Sequence, residues 1–203
     1  MIRAKICGIR RMEDAQLAAE LGAWAIGFVF WRGSRRYIDP PTARDIVSVL
    51  PPFVTAIGVF VNQHKNDVLA IADAVKLGAV QLHGDETAAW YAGFPYRVIK
   101  TVPVPPAFED RALADVPAWV TVLLDAHDPV ARGGTGRTID WSVAASAART
   151  RPVVLSGGLT PDNVRVAADT VRPHAVDVSS GVESSPGVKD PGKLRAFFSA
   201  LQS

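Results

Sequence analysis

Eight short apolar runs rich in Val, Ile or aromatic residues recur along a chain of 203 residues, and a helical pattern succeeds each of them. The runs cover Ala4 to Cys7, Trp24 to Phe30, Val54 to Val61, Ala79 to Leu82, Arg97 to Val102 and Trp119 to Asp125, then the segments Pro152 to Gly158 and Ala175 to Gly181. Helical periodicity spans Glu13 to Leu21, Thr42 to Leu50, Asp67 to Leu77, Glu86 to Tyr91, Phe108 to Ala114, Ser142 to Arg149, Asp162 to Val171 and Lys193 to Leu201. Pro40-Pro41, Asp85 and Thr160-Pro161 mark helix starts, while Gly22 and Gly78 mark ends. Strict strand–helix alternation buries both faces of a parallel sheet, and eight units predict a single (β/α)₈ TIM barrel filling residues 1–203. An open doubly wound sheet is the rival architecture, but no Gly-x-Gly-x-x-Gly turn comes after the first strand.

The composition fits one core and narrows the partners. Hydrophobic residues make up 48% of the chain, the net charge is +2, and no apolar run approaches a membrane-spanning length. So small a charge does not by itself call for nucleic acid, and no membrane partner is expected. The N-terminus enters its first strand without a signal-type apolar region, and one cysteine cannot form an internal disulfide. Both facts lead to an expected cytoplasmic location.

The last two strands end in paired small residues, Ser156-Gly157-Gly158 and Ser179-Ser180-Gly181. Glycine at a strand exit lets backbone N–H groups approach an anion closely, and adjacent exits make a shared cradle. A phosphate site at strands seven and eight is therefore predicted, held by Gly157, Gly158, Ser180 and Gly181, although a single such exit would be ordinary turn chemistry. In a barrel of this kind the active site gathers at the C-terminal ends of the strands. The same mouth would collect Cys7, His83, Asp125 and the basic aromatic loop Trp31 to Tyr37.

Each of these residues has a plainer role available. Cys7 can be a small buried hydrophobe, Asp125 can bond loop N–H groups, and His83 can brace a loop. As a catalytic set they offer a thiol at a strand terminus beside glycine and a mouth carboxyl that can be held protonated as a general acid. Lys5 shares the strand face of Cys7 and would lower the thiol pKa, unless an interior carboxylate such as Asp177 neutralises it. Gly134, Thr135 and Gly136 come after strand six as an expected flap. No metal-ligand spacing or P-loop appears, so no metal and no cofactor is expected.

In order and spacing the chain resembles the phosphoribosylanthranilate isomerases. The resemblance is carried by Lys5-Ile6-Cys7-Gly8, Ser34-Arg35-Arg36-Tyr37, Gln81-Leu82-His83-Gly84, Leu124-Asp125, Gly134-Thr135-Gly136, Ser156-Gly157-Gly158 and Val176-Asp177-Val178-Ser179-Ser180-Gly181-Val182-Glu183. It implies an Amadori rearrangement of a small phosphorylated substrate, with Cys7 as general base and Asp125 as general acid. It also implies Arg36 at the anthranilate carboxylate, and His83 and Asp177 near the substrate. Arg10-Arg11 departs from the threonine that this family commonly carries, so first-loop contacts are open. A monomer or homodimer is expected. The related histidine-pathway isomerase and a non-catalytic phosphate- or RNA-binding barrel are the alternatives; the first generally places an aspartate where Cys7 stands.

Overall fold

The computed structural model of the chain describes residues 2–105, 111–126 and 138–202. All eight apolar runs become strands: β1 (Arg3–Cys7), β2 (Ala25–Val29), β3 (Thr55–Phe60), β4 (Ala79–Leu82), β5 (Arg97–Val104), β6 (Thr121–Ala126), β7 (Val153–Leu155) and β8 (Ala175–Val178). Between them stand α1 (Met12–Glu20), α2 (Pro40–Ser48), α3 (Lys65–Val75), α4 (Ala88–Tyr91), α5 (Arg111–Ala114), α6 (Trp141–Thr150) and α7 (Val164–Val171), and α8 (Pro191–Gln202) comes last. Neighbouring strands pair in parallel in sequence order, and β1 pairs with both β2 and β8, which closes the barrel. Between β8 and α8 lie a 3₁₀ turn, Ser180–Val182, and a small antiparallel hairpin of β9 (Glu183–Ser185) and β10 (Val188–Lys189), none of which any periodicity announced.

Period-two alternation sorts each strand's side chains. Ile6, Ile26, Phe28, Phe60, Val80 and Leu82 face outward into the main core, against helix residues such as Ala15, Val68, Ala72 and Phe197. The inward faces hold Ala25, Ile57 and Ala79 as one apolar layer, with a second layer of Cys7, Val29 and Val59 under Trp31. Buried Lys5, Gln81, Thr101, Asp125 and Asp177 occupy other inward positions. Helices thus supply the apolar burial, which leaves the barrel interior free to hold polar chemistry.

Several boundaries differ from the sequence expectation for local reasons. Pro40 and Pro41 open α2 rather than precede it, because a fixed φ suits the first turn, and Asp39 Oδ1 caps it by accepting from Thr42 N at 3.0 Å. Gly22 ends α1 at φ 101°, as expected, but α3 ends on Lys76 in the left-handed region at φ 64° rather than on Gly78. Gly78 serves a close approach instead, since a Cβ there would stand 2.9 Å from Thr55 Cγ2. Trp24 and Trp119 precede their strands and are more than half exposed. The start of the expected fifth helix and the flap residues Gly134, Thr135 and Gly136 lie outside the described residues.

Candidate active site

Cys7 closes β1 opposite Gly27 on β2, and a Cβ at Gly27 would sit 3.0 Å from Cys7 Sγ and 3.1 Å from Lys5 Cε. The missing side chain makes room for both. Lys5 Nζ donates to Asp177 Oδ1 at 2.9 Å across the β1–β8 register, with both side chains buried. The two outcomes open in the sequence coexist: Asp177 pairs with Lys5 and offsets it in part, but the pull of Lys5 on the thiol is the larger of the two. Burial pushes the Cys7 thiol above its ordinary value; the Lys5 ammonium pulls it back and Asp177 pushes it up again. Burial likewise works against the Lys5 charge, but Asp177 and Cys7 together more than restore it and Lys5 stays above its usual range.

Asp125 belongs to β6, so β7 and β8 separate it from Cys7 around the barrel. Its Oδ1 accepts from Ala126 N at 2.9 Å, and its Oδ2 lies 3.4 Å from His83 Nε2 at the exit of β4. His83 Nδ1 is 3.1 Å from both Gln81 Nε2 and Thr101 Oγ1. When the Gln81 amide donates to Nδ1, that nitrogen is the acceptor and the ring proton sits on Nε2, toward Asp125; Gln81 Oε1 is then buried without a partner among the described residues. The loop carrying His83 is fastened by Glu86, whose carboxylate accepts from Asn62 N at 2.7 Å, Gly84 N at 2.9 Å and Lys100 Nζ at 3.0 Å.

Arg36 reaches the mouth because Tyr37 bridges back to Val29 at the end of β2, and its stem lies across Gly8, where a Cβ would come within 2.6 Å of Arg36 Cδ. Its Nε and Nη2 donate to Glu183 Oε1 and Oε2 at 2.9 and 2.7 Å. Lys189 Nζ donates to Glu183 Oε1 at 2.9 Å, to the Cys7 carbonyl at 2.6 Å and to the Ser179 carbonyl at 3.1 Å. Burial acts to raise the Glu183 carboxyl, but the Arg36 and Lys189 cations win and hold it below its ordinary value. For Lys189 burial prevails over its partners and lowers the ammonium. Arg11 pairs with Asp14 at 2.9 and 2.6 Å, so it braces the start of α1, while Arg10 lies against Gly187.

At the β7 exit Gly157 and Gly158 both adopt positive φ, 86° and 63°. Asn163 shapes the next loop: its Oδ1 accepts from Thr160 N at 2.8 Å and its Nδ2 donates to the Gly158 carbonyl at 2.9 Å. The three-residue turn Ser180–Val182 leaves its first N–H groups without intrahelical acceptors. Gly181 packs directly against the Leu159 carbonyl, where any Cβ would collide. The exits of β7 and β8 are thus in contact, and glycine is required at Gly181 by backbone packing.

Of the sequence-predicted residues, Cys7 and Asp177 meet through Lys5, Asp125 meets His83, and Arg36 connects to the Cys7 backbone through Glu183 and Lys189. Residue-level reasoning passed over Gln81, Glu86, Lys100, Glu183 and Lys189. A Gln and a Lys inside the apolar runs of β4 and β5 were the available signal for Gln81 and Lys100. Nothing local marked Lys189.

Comparison with known proteins covers nearly the whole chain. The family model described as N-(5'phosphoribosyl)anthranilate (PRA) isomerase matches residues 4–200. An N-(5'-phosphoribosyl)anthranilate isomerase of Pseudomonas fluorescens (strain Pf0-1) is 48% identical over 202 residues, covering 99% of this chain and 98% of that one. The crystal structure of the Thermus thermophilus phosphoribosyl anthranilate isomerase superposes with a TM-score of 0.91 at 41% identity, covering 99% of this chain and 98% of the other. A phosphoribosyl anthranilate isomerase in complex with reduced 1-(o-carboxyphenylamino)-1-deoxyribulose 5-phosphate gives a TM-score of 0.87 at 43% identity, covering 100% and 99%. With the barrel closed and Cys7 and Asp125 at one mouth, the chain belongs to the N-(5'-phosphoribosyl)anthranilate isomerase family.

Proposed function

We propose that this chain converts N-(5'-phosphoribosyl)anthranilate to 1-(2-carboxyphenylamino)-1-deoxyribulose 5-phosphate, an aldose–ketose isomerisation in tryptophan biosynthesis. The observation that carries the reading is the placement of Cys7 and Asp125 at the same barrel mouth, separated by the β7 and β8 exits, in a chain of this family. Asp125 gives a proton to the furanose ring oxygen, the C1–O bond breaks, and an iminium forms at C1. That cation acidifies the neighbouring C2–H, and the Cys7 thiolate removes this proton to leave an enolamine. Tautomerisation of the enolamine yields the ketone.

Binding divides among the remaining groups. Backbone N–H groups of Gly157, Gly158, Ser180 and Gly181 take the phosphate, and Arg36 takes the anthranilate carboxylate. His83 steadies Asp125 from the β4 side, and Asp177 acts through Lys5. The whole span 1–203 serves as one barrel domain, as a monomer or homodimer acting in the cytoplasm. The test is turnover of N-(5'-phosphoribosyl)anthranilate generated in situ from anthranilate and phosphoribosyl pyrophosphate, monitored by loss of its fluorescence. Absence of turnover by the folded protein refutes the assignment.

A further inference from the structure

Arg36, Glu183 and Lys189 form a cluster with side-chain exposures of 11%, 4% and 0%, and it holds two cations against one carboxylate. Its surplus positive charge lies where water screens poorly, so the cluster is poised to accept one further anion. Glu183 engages only one edge of the guanidinium, Nε with Nη2. Among the described residues no acceptor meets Nη1, so the Nη1–Nη2 edge keeps the paired N–H geometry that matches a second carboxylate. Lys189 spends its three N–H donors on Glu183, the Cys7 carbonyl and the Ser179 carbonyl, which fixes the Glu183 carboxylate to the exits of β1 and β8.

We propose that Glu183 is a positioning residue that determines carboxylate specificity: it holds one edge of Arg36 so that the other edge receives the substrate's aryl carboxylate, with Lys189 as buried counter-charge. The inference rests on the proposed isomerase function. Glu183 itself touches no ligand. An unaided arginine would have to order its side chain upon binding, whereas one already clamped loses less freedom.

The experiment compares wild type, Glu183→Gln, Arg36→Met and the double variant. Each is measured for KM and kcat with N-(5'-phosphoribosyl)anthranilate and for inhibition by the carboxylate-free N-(5'-phosphoribosyl)aniline. Glutamine keeps the shape but offers one acceptor where Arg36 needs two. Glu183→Gln is expected to raise KM by about tenfold or more, the scale of a hydrogen bond to a charged group, and to change kcat far less. Inhibition by the aniline compound should barely move, and in the Arg36→Met background the Glu183→Gln change should add nothing. Equal weakening of both ligands, or a full effect persisting without Arg36, overturns the proposal. Should Glu183→Gln fail to fold with Lys189 left unpaired, Glu183→Gln/Lys189→Met removes the stranded charge and must show the same selective loss. A wild type that turns over substrate but shows no dependence on Glu183 sinks this inference alone; one without turnover sinks the functional reading as well.

Discussion

His83 Nε2 stands 3.4 Å from Asp125 Oδ2, so an imidazole supplied by the β4 exit faces a carboxyl supplied by β6. Gln81 and Thr101 hold the far nitrogen of the ring at 3.1 Å each, and the ring therefore has one preferred face toward Asp125. An N–H donor at that oxygen stabilises the carboxylate left behind once a proton has been given away.

Asp125→Asn keeps the shape but has no proton to deliver, and kcat should fall by roughly 10²-fold or more, the range for losing a general acid. His83→Gln should cost less, because it removes a supporting donor. Adding His83→Gln to Asp125→Asn should cost little further. Steady-state kinetics of the three variants decides this, and full additivity would separate the two residues.

Cys7→Ser should fold normally and lose roughly 10²-fold in kcat, since a hydroxyl ionises far less readily than a thiol and supplies almost no anionic base. With the thiol raised above its ordinary 9.0 by burial, inactivation of the free protein by iodoacetamide should climb with pH through a midpoint above that value. Lys5→Met should move the midpoint higher still, because the attraction from Lys5 is lost while Asp177 remains. A midpoint that falls on removing Lys5 contradicts the electrostatic picture.

Lys5→Met also strands a buried carboxylate and should cost about 3–5 kcal/mol of stability. Lys5→Met/Asp177→Asn should recover much of that loss, as no unpaired charge is left inside the barrel. Denaturant unfolding of both variants measures the difference.

For the exits of β7 and β8, inorganic phosphate should compete with substrate, and Ser180→Ala should be mild because the donors are backbone groups. Gly157→Val should be severe, because Gly157 has φ 86° and a Cβ there would press within 2.9 Å of Ala126 N. Gly181→Val should reduce stability as well as phosphate affinity, since its side chain meets the Leu159 carbonyl. Thermal unfolding with and without phosphate distinguishes the two effects, and a Gly157→Val protein with normal affinity would exclude the cradle.

Glu183 sets an acid limit. Its folded pKa lies below the ordinary 4.5, so the unfolded chain binds the proton more readily. The associated stability is complete above about pH 4.5, where both states are ionised, and drains away as pH falls through the lower folded value. The difference in melting temperature between wild type and Glu183→Gln should be constant near neutrality and shrink in acid. A difference that grows on acidification would reverse the assigned sign.

The eight strands and their order were legible in the sequence, because burial on both faces of a parallel sheet forces continuous apolar runs and helices punctuate them, although β5 runs on to Val104 and β7 and β8 stop at Leu155 and Val178 before their glycines. Cys7, His83, Asp125 and the glycine exits could be assigned to one mouth on that ground alone, since a barrel gathers all C-terminal strand ends. The pairing of charges was decided only by the tertiary structure. Lys5 meets Asp177 across 172 positions, Arg36 meets Glu183 across 147, and Lys189 reaches the Cys7 carbonyl across 182. Periodicity reports which face a residue takes, whereas a charge buried on that face is stabilised by whichever distant group barrel closure brings within hydrogen-bond reach. The hairpin carrying Glu183 and Lys189 is too short to show a period at all, and its place beside Cys7 results from the closure of β8 onto β1.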